Sequence, residues 1–378
     1  MEKIIVITGG HLSPAISVIQ KLKKRNWKIF FLGRKYAFSK DKELSFEYTE
    51  MQKMGINFID PQSVRLKKEI SFLNLYSLFY FPFRIIKLLP VLKRIRPDFI
   101  LSFGGYVGFP VCIAGLILRI PLLLHEQTLK PGRTNMLLSR FAWKIFVSWK
   151  ENLKYFPAGK TLLTGNPLRE EIKKIPEKEE PKGLSIQKKE ALLYITGGST
   201  GAHEINKRIA KLLPFLLRKF QVIHQCGVSY YDDYSSLNKI REDLPQKLKS
   251  KYAIYKNLEA VRLNRVLNAA DIIIGRSGAN TVCELSVLGK IAIFIPHPLS
   301  AFDEQRANAK KMADNGTAII LEEEKLNWGN LKEILNKIIL NIDELNKKAF
   351  DFSQSAETEN HKVAASKIGL FFDNCFAN

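Results

Sequence analysis

The sequence has 378 residues, 46% of them hydrophobic, with 59 Lys or Arg against 37 Asp or Glu, which gives a net charge of +22. This length favours two domains, and the hydrophobic content excludes an intrinsically disordered chain. The basic excess indicates a polyanionic partner: nucleic acid, an anionic membrane surface or a phosphorylated substrate. The four cysteines are far apart, so we expect reduced thiols and neither a metal cluster nor a disulfide framework.

Strands and helices alternate in the first 165 residues. Short apolar runs with β-branched residues predict the strands, and apolar residues at helical spacing predict the helices. The predicted strands are residues 3–8, 28–32, 57–59, 98–103, 121–124, 144–147 and 161–163, and the predicted helices are 14–24, 72–95 and 133–142. The longest apolar passage, from Val111 to Leu124, is too short to span a bilayer.

The alternation restarts after a charged, proline-bearing passage, residues 173–190, which predicts a surface or interdomain loop. Strands are predicted at 191–195, 220–225, 252–255, 291–295, 317–321 and in the apolar run that ends at Gly275, and helices at 202–217, 281–288, 304–315 and beyond 330. Two such arrays with right-handed crossovers predict an α/β fold of two Rossmann-like, doubly wound domains facing across a cleft. We place the domains at residues 1–165 and 166–345, with a helical tail, 346–378, expected to pack back on the first.

Four of the predicted strands end in glycine-containing turns, at residues 8–11, 103–106, 196–202 and 275–278. None of these turns matches the dinucleotide-binding fingerprint or the P-loop. A turn of this kind before a helix presents free N–H groups to a phosphate, so the set predicts a diphosphate or two phosphorylated ligands. Glu284 lies in the first turns of the helix after the last loop, where its carboxylate can accept two ribose hydroxyl groups.

The predicted helix at residues 72–95 carries a dense run of aromatic and aliphatic side chains between residues 75 and 86. A core helix needs fewer consecutive aromatics, so this run predicts an exposed patch that contacts a membrane surface. A helix buried against the sheet is the alternative, because aromatic stripes are often core. The flanking basic residues are Lys67, Lys68, Arg84, Lys87, Lys93 and Arg94.

Seven collinear passages between residues 4 and 321 resemble the MurG type of glycosyltransferase. They are Thr8-Gly9-Gly10-His11 with Pro14, Phe103-Gly104-Gly105-Tyr106, His125-Glu126-Gln127, Gly165-Asn166-Pro167 with Arg169, Gly197-Gly198-Ser199 with Gly201-Ala202 and Asn206, Arg276-Ser277-Gly278-Ala279 with Thr281-Val282 and Glu284-Leu285, and Gln305 with Asn308-Ala309. The resemblance implies the GT-B arrangement of two Rossmann-like domains. It also implies inverting transfer of N-acetylglucosamine from its UDP donor to the 4-hydroxyl of N-acetylmuramyl-peptide on a polyprenyl diphosphate.

The resemblance further implies partners, a location and site residues. The partners would be UDP-N-acetylglucosamine, the polyprenyl-diphosphate-linked acceptor and the anionic inner membrane surface, with no nucleic acid, metal ion or cofactor. The enzyme would be peripheral, at the cytoplasmic face of the cell membrane. His11, neutral at cytosolic pH if its pKa is the ordinary value of about 6.5, is the candidate base, and Glu126 is the second candidate. Gly104, Gly105 and Tyr106 would bind the acceptor. The donor would be bound by Thr8, Gly9, Gly10, Thr128, Arg169, Ser199, Leu258, Ala279, Asn280, Thr281, Val282, Cys283, Glu284 and Gln305.

The sequence departs from the family pattern at four positions. Val6 and Ile7 replace glycines, Thr128 replaces an asparagine and Thr200 replaces a glutamine. These departures predict a stiffer first loop and altered contacts with the sugar.

Two other functions remain open. One is a related transferase that glycosylates diacylglycerol or another lipid. The other is a nucleic-acid-binding protein, which the charge favours although no RNA- or DNA-binding motif accompanies it. Bound UDP would raise the melting temperature of either transferase, whereas RNA would raise that of a nucleic-acid-binding protein.

Overall fold

The chain divides into two units, each built on one parallel sheet. The computed structural model describes residues 2–36, 44–61, 74–175, 190–228 and 231–376, and for residues 74–81 it describes the backbone alone. The N-terminal unit contains Met1–Leu168 and Asn360–Asn378, and the C-terminal unit contains Arg169–Glu359. The prediction of two doubly wound α/β domains is confirmed by the two sheets.

Seven strands form the sheet of the N-terminal unit. In chain order they are Ile4–Thr8 (β1), Lys28–Leu32 (β2), Asn57–Ile59 (β3), Phe99–Ser102 (β4), Leu122–Glu126 (β5), Lys144–Val147 (β6) and Thr161–Leu163 (β7). Their spatial order is β3-β2-β1-β4-β5-β6-β7, and every neighbouring pair is parallel. The strand order therefore reverses between β1 and β4, the place where doubly wound sheets bind ligands.

Helices cover both faces of this sheet. They are Leu12–Lys23 (α1), Phe46–Lys53 (α2), Asn74–Ile95 (α3), Gly105–Ile117 (α4) and Arg133–Leu138 (α5), with 3₁₀ helices at Lys150–Tyr155 and Ala158–Lys160. Val18 of α1 belongs to one buried apolar cluster, and Leu92 of α3 and Val111 of α4 belong to another. The strands are buried between the two clusters, which explains their continuous apolar runs.

Six strands form the sheet of the C-terminal unit. They are Leu192–Thr196 (β8), Gln221–Gln225 (β9), Tyr252–Tyr255 (β10), Ile272–Gly275 (β11), Ile291–Phe294 (β12) and Ala318–Ile320 (β13). Their spatial order is β10-β9-β8-β11-β12-β13, again all parallel. The order reverses between β8 and β11, so the glycine turns after these two strands lie at the switch point.

The helices of the C-terminal unit alternate with these strands. They are His203–Leu216 (α6), Asp233–Glu242 (α7), Gln246–Lys249 (α8), Ala260–Ala269 (α9), Ala279–Leu288 (α10), Glu304–Asp314 (α11), Trp328–Leu340 (α12) and Ile342–Ser353 (α13), with 3₁₀ helices at Ala301–Asp303 and Glu323–Lys325. The last helix, Ala356–Asn374 (α14), begins in this unit and ends in the N-terminal one.

An aspartate joins the two central strands of each sheet in the same way. In the N-terminal unit the N–H of Ile4 donates to the Asp98 carboxylate at 2.7 Å, and the Asp98 N–H donates to the Ile4 carbonyl at 2.8 Å. In the C-terminal unit Leu192 and Asp271 make the equivalent pair, at 2.7 and 3.0 Å. Each aspartate thus fixes the register of the strands on either side of the switch point.

The C-terminal part of α14 completes the core of the N-terminal unit. The Phe372 ring lies 5.4 Å from both Trp27 and Phe99 and is fully buried. The predicted tail began too early, at residue 346, because α13 packs on α10: a Cβ at Gly289, where α10 ends with φ +65°, would lie 3.0 Å from the Ala349 carbonyl. The chain up to Glu359 therefore belongs to the C-terminal unit.

Three helices, α2, α4 and α9, were not predicted from the sequence. Helix α4 contains three glycines and Pro110, which disfavour a helix in isolation, but seven of its residues are buried against the sheet. Most of the loop predicted at residues 173–190 lies outside the described residues. No helix in the described part of the chain is long and apolar enough to span a bilayer.

Candidate active site

Two glycine turns interlock at the carboxyl edge of the N-terminal sheet, after β1 and β4. The Gly10 N–H donates to the Gly104 carbonyl at 3.0 Å. Gly9 has φ +140°, and a Cβ there would lie 2.7 Å from the Phe103 nitrogen. A Cβ at Gly105 would similarly approach the Gly10 nitrogen to 3.1 Å. The glycines are therefore required by this close approach, which leaves Gly10 exposed at the edge.

The polar groups of Thr8, the last residue of β1, form hydrogen bonds within the N-terminal unit. The Thr8 hydroxyl donates to the Leu32 carbonyl at 2.8 Å, and the Thr8 carbonyl accepts from the Phe103 N–H at the same distance. Thr8 is fully buried, so its side chain does not reach a ligand in this conformation. Val6 and Ile7 are fully buried within β1, in the strand that precedes the first glycine turn.

His11 lies where the first glycine turn meets α1. It is the N-cap residue of α1, but its side chain makes no capping hydrogen bond. The ring is half-buried, and the loss of solvent around it lowers its pKa from 6.5 to about 4. His11 is therefore neutral at physiological pH and can accept a proton.

His125, the penultimate residue of β5, is a second buried histidine near His11. Its Nε2 lies 3.2 Å from the Gly165 carbonyl and so carries the proton, which leaves Nδ1 as an acceptor without a hydrogen-bond partner. Burial lowers the pKa of His125 to about 4, although the hydrogen bond with the Gly165 carbonyl opposes the change. His125 closes the turn at Gly165, whose φ is +89°.

The Glu126 carboxylate organises the loop that follows β5. It accepts hydrogen bonds from the Thr128 N–H and hydroxyl at 3.0 and 2.7 Å, from the Gly132 N–H at 3.0 Å and from the Asn135 amide at 2.9 Å. Burial raises the pKa of Glu126, and these hydrogen bonds limit the rise. Glu126 is 1% exposed and engaged by its own loop, so the structure favours a structural role over that of a base.

Thr128 is part of the same network. Its hydroxyl lies 2.7 Å from Glu126 and 2.6 Å from the Lys130 carbonyl, and its own carbonyl accepts from the Asn152 amide at 2.9 Å. The residue is 3% exposed. Its predicted contact with the donor is therefore not supported by this side-chain orientation, and the threonine stabilises the loop instead.

The turn after β4 presents the residues predicted to bind the acceptor. Gly104 is the N-cap of α4 at φ +72°, and its N–H donates to the Ser102 hydroxyl at 3.2 Å. Tyr106, in the first turn of α4, is 61% exposed, and the Arg34 guanidinium lies 5.4 Å from its ring centroid. This end of α4 thus combines free backbone N–H groups, an exposed phenol and a cation.

The C-terminal sheet also has a glycine turn at its carboxyl edge, after β8. Gly198 and Gly201 have φ near +80°, and a Cβ at Gly227 would lie 2.1 Å from the Gly201 nitrogen. Ser199 and Thr200 lie exposed at the tip of the turn. The Ser199 carbonyl accepts from the Val228 N–H at 3.1 Å, which ties the turn to the loop after β9. Ser199 is therefore exposed four residues before α6 begins.

Glu284 is a buried carboxylate in the second turn of α10. It is 8% exposed, and no described residue donates a hydrogen bond to it. Burial raises its pKa to about 6, and the positive charge of Arg169 limits the rise. A buried carboxylate without a hydrogen bond from a described residue is costly, and a ligand that donates hydrogen bonds to it would remove that cost.

The N-terminus of α10 lies one turn before Glu284. Ala279, Asn280 and Thr281 are the first three residues of the helix, the end at which backbone N–H groups point out along the helix axis. Val282 and Cys283 are fully buried, and the Val282 N–H donates to the Gly278 carbonyl at 3.0 Å. These two residues, predicted to bind the donor, therefore face the core with their side chains.

The first turn of α11 is linked to the loop before α10. The Ser277 hydroxyl donates to the Gln305 carbonyl at 2.7 Å, and the Asn308 amide donates to the Ser277 carbonyl at 3.2 Å. The Gln305 side-chain oxygen accepts from the His297 N–H at 3.0 Å. Leu258, 8% exposed, precedes α9 at the same edge of the sheet. The C-terminal unit thus brings Ser199, Leu258, the α10 N-terminus, Glu284 and Gln305 to one edge.

Two family profiles cover most of the chain. Residues 5–147 match the glycosyltransferase family 28 N-terminal domain, and residues 192–367 match the glycosyltransferase family 28 C-terminal domain. The chain belongs to glycosyltransferase family 28. The resemblance to MurG-type transferases and the two-domain GT-B fold predicted from the sequence are both confirmed.

Relatives of this family 28 transferase match over nearly the full length. A Bacillus cereus protein named UDP-N-acetylglucosamine–N-acetylmuramyl-(pentapeptide) pyrophosphoryl-undecaprenol N-acetylglucosamine transferase 2 is 31% identical, covering 97% of this chain and 98% of its own. The Flavobacterium psychrophilum transferase of the same activity is 35% identical, covering 84% and 83%. The crystal structure of Acinetobacter baumannii MurG has a TM-score of 0.71, at 24% identity, covering 98% and 99%.

Two features of the transferase's carboxyl edge escaped the sequence analysis. His297 is not among the predicted site residues, yet it is exposed and its backbone N–H donates to the Gln305 side chain. Arg276 was recognised only as part of a motif, and it holds the loop after β12 through the Ile295 carbonyl at 3.0 Å. No sequence signal indicates these contacts, because they depend on loop conformation. Among the described residues, no group of three or more His, Cys, Asp or Glu side chains is placed to hold a metal ion.

Proposed function

We propose that this chain transfers N-acetylglucosamine from UDP-N-acetylglucosamine to the 4-hydroxyl of polyprenyl-diphosphate-linked N-acetylmuramyl-peptide. The observation that carries the proposal is Glu284, a buried carboxylate with no hydrogen bond from a described residue, in the second turn of α10. Ribose hydroxyls would satisfy the carboxylate while the helix N-terminus binds the diphosphate. The relatives named for this reaction cover nearly the whole chain, which supports the same donor and acceptor here.

The nucleotide of the donor would be bound by the C-terminal unit, and Gly9 and Gly10 of the N-terminal unit would face the transferred sugar. Ser199 and the first N–H groups of α10 meet the diphosphate, and the backbone near Leu258 meets the uracil. Gln305, whose amide oxygen is held by His297, presents its amide nitrogen to the sugar. Arg169 lies close enough to Glu284 to influence its pKa and balances the charge of the bound nucleotide. As the diphosphate leaves, these donors stabilise its developing charge.

The N-terminal unit would supply the base and the acceptor site. His11 takes the proton of the acceptor 4-hydroxyl, whose oxygen bonds to the anomeric carbon as the bond from that carbon to UDP breaks. The configuration at that carbon inverts. Gly10, Gly104, Gly105 and Tyr106 lie beside His11 on the interlocked turns and would contact the acceptor.

We place this reaction at the cytoplasmic face of the membrane, with the N-terminal unit in peripheral contact with anionic lipid. Phe83 and Ile86 of α3 are 44% and 60% exposed, and the Lys87 ammonium lies 4.3 Å from the Phe83 ring centroid. This mixture of exposed apolar and basic side chains suits a headgroup region. The side chains of the predicted patch before residue 82 lie outside the described residues.

The direct test offers radiolabelled UDP-N-acetylglucosamine with one acceptor lipid at a time. Label should pass to polyprenyl-diphosphate N-acetylmuramyl-peptide, and the Glu284→Ala variant should transfer less at low donor concentration. Transfer to diacylglycerol instead would identify the alternative lipid transferase. A melting temperature that responds to RNA and not to UDP would contradict both transferase assignments.

A further inference from the structure

The loop between β12 and α11, residues 295–303, is held in one conformation from both sides. The Arg276 guanidinium donates to the Ile295 and Pro296 carbonyls at 3.0 and 3.2 Å and forms an ion pair with Glu323. Both partners of that ion pair are at most 15% exposed. A bidentate arginine of this kind fixes the backbone that it binds.

The end of the same loop has an unusual backbone. Phe302 and Asp303 have φ values of +53° and +56°, in the left-handed region that non-glycine residues rarely occupy. Hydrogen bonds from Ser300 N–H to the His297 carbonyl, 3.1 Å, and from Asp303 N–H to the Ser300 carbonyl, 3.0 Å, hold the turn. Two adjacent residues in this region are characteristic of a ligand-binding loop, where the surrounding structure offsets the strain.

This loop determines the orientation of the His297 ring. The Leu299 N–H donates to His297 Nδ1 at 3.0 Å, so in the neutral ring the proton is on Nε2. His297 is exposed, and no described residue accepts a hydrogen bond from Nε2. The ring therefore presents a single N–H donor at the carboxyl edge of the sheet.

His297 is also coupled to Gln305. The His297 backbone N–H donates to the Gln305 side-chain oxygen at 3.0 Å, which orients the amide so that its NH₂ group points away from the loop. No described residue accepts from that NH₂ group. The imidazole Nε2–H and the amide NH₂ group are thus two N–H donors, one oriented by the side chain of His297 and the other by its backbone.

We propose that His297 is a sugar-recognition residue that donates its Nε2–H to a hydroxyl of the hexose on the donor nucleotide, beside the contact made by Gln305. The inference rests on the proposed function, because it assumes that Gln305 faces the donor sugar. Two oriented N–H donors can bond hydroxyl oxygens of a sugar, and the diphosphate is expected at the N-terminus of α10. A site built to bond a particular hydroxyl discriminates strongly against a sugar that lacks it.

Two substitutions of His297 distinguish the roles of its two ring nitrogens. In His297→Asn the amide oxygen can replace Nδ1 as acceptor for the Leu299 N–H, but no donor remains at the position of Nε2. In His297→Gln the amide nitrogen can replace Nε2, but the acceptor for Leu299 is lost. Leu299→Ala is the matched control, since its side chain is 86% exposed on the same loop.

Calorimetry with UDP and with UDP-N-acetylglucosamine then tests the inference. His297→Asn should bind UDP-N-acetylglucosamine roughly 3- to 10-fold more weakly than the wild type, the effect of one hydrogen bond between neutral groups, and UDP equally well. His297→Gln and Leu299→Ala should bind both ligands within about 2-fold of the wild type. Among deoxy-sugar donors, the one that lacks the contacted hydroxyl should bind the wild type and His297→Asn equally.

Three outcomes would overturn the inference. Equal binding of UDP-N-acetylglucosamine to the wild type and His297→Asn would show that Nε2 makes no contact. Equal loss of UDP and UDP-N-acetylglucosamine in His297→Asn would assign the residue to the loop's structure. A loss in His297→Gln as large as in His297→Asn would do the same. If the wild type fails to bind UDP at all, the proposed function itself is wrong, and this result is distinct from the other three.

Discussion

At Glu284 the requirements of stability and of function conflict. Its carboxylate is buried without a hydrogen bond from a described residue, so the folded protein disfavours the ionised form. A group whose pKa is raised on folding stabilises the folded state at low pH, and this stability is lost as the pH rises through the folded pKa. For Glu284 the loss occurs between pH 4.5, the ordinary pKa, and about 6, the pKa in the folded protein. Above that range, the unliganded protein carries the full cost of the charge.

Glu284→Gln should therefore stabilise the unliganded protein. We expect the free energy of unfolding at pH 8 to rise by about 2 kcal/mol, and the gain to disappear as the pH falls below 4.5, where the carboxyl group becomes protonated in both the folded and the unfolded state. UDP affinity should fall by about 1.5–3 kcal/mol, because charge-assisted hydrogen bonds to the ribose are lost. Urea unfolding and calorimetry check the two effects, with exposed Glu333→Gln as the control. A destabilised Glu284→Gln protein would indicate that the carboxylate is satisfied within the fold.

His11→Ala tests the base. Turnover should fall by about 10²- to 10⁴-fold, while UDP affinity stays close to that of the wild type, because the donor site lies in the other unit. Since the pKa of His11 is lowered to about 4, the wild-type rate should not decline with acidity until the pH approaches that value. Single-turnover rates from pH 5 to 8 check this. An acidic limb near pH 6.5, absent from His11→Ala, would contradict the lowered pKa, and unchanged turnover would remove His11 from the chemistry.

The sequence identified residues better than it identified the directions of their side chains. Glu284 and Gln305 were predicted at a sheet edge and lie there. The glycine turns that mark this edge can be recognised from their residue types. Thr8 and Thr128 were expected to meet the donor, yet both hydroxyl groups bond within their own unit. A hydroxyl can serve a ligand or a nearby carbonyl equally well, and only the folded backbone decides between them.

Among the secondary-structure elements, strands were predicted more accurately than helices. Strand β2 has the predicted bounds, because a short apolar run between polar turns has one reasonable interpretation. Helix α4 was missed because its glycines and Pro110 argue against a helix locally. Its burial against the sheet outweighs those local preferences, and that burial cannot be recognised from the residues of the helix alone.

Substitutions in helix α3 test the proposed membrane contact. Phe83→Ser combined with Ile86→Ser should weaken binding to anionic vesicles while leaving the free energy of unfolding nearly unchanged, because both side chains are exposed. Sedimentation with vesicles checks binding, and added salt should weaken the wild type as well. Leu340→Ser, 84% exposed in the C-terminal unit, is the control and should bind vesicles normally. A double variant that unfolds, or that binds vesicles normally, would place the contact elsewhere.

Over the whole molecule, the two units repeat one construction with different ligand-binding residues. Each joins its central strands through an aspartate, Asp98 or Asp271, and each has a glycine turn after its first strand. The turns then differ: the first is followed by His11, and the second carries Ser199. The repeated strand-and-turn pattern could be predicted from sequence, whereas the end of the C-terminal unit at Glu359 depends on packing by α13.

The C-terminal end of α14 should stabilise the whole N-terminal unit. Phe372→Ala removes a fully buried ring that contacts Trp27 and Phe99, and should lower the free energy of unfolding by about 3–5 kcal/mol. Leu370→Ala, 52% exposed on the same helix, should cost little. Urea unfolding followed by tryptophan fluorescence measures both variants. Equal stability of the two would mean that the tail is not part of the core.

The N-terminal unit is discontinuous along the chain, and this has a consequence during synthesis on the ribosome. Residues 360–376 are translated after the entire C-terminal unit, so the surface around Trp27 and Phe99 stays uncovered while residues 169–359 emerge. The unit translated first is therefore the one that can complete its core only later. Nascent chains halted before residue 360 should consequently expose an aromatic surface that chaperones recognise, even though most of the N-terminal sheet has already left the exit tunnel.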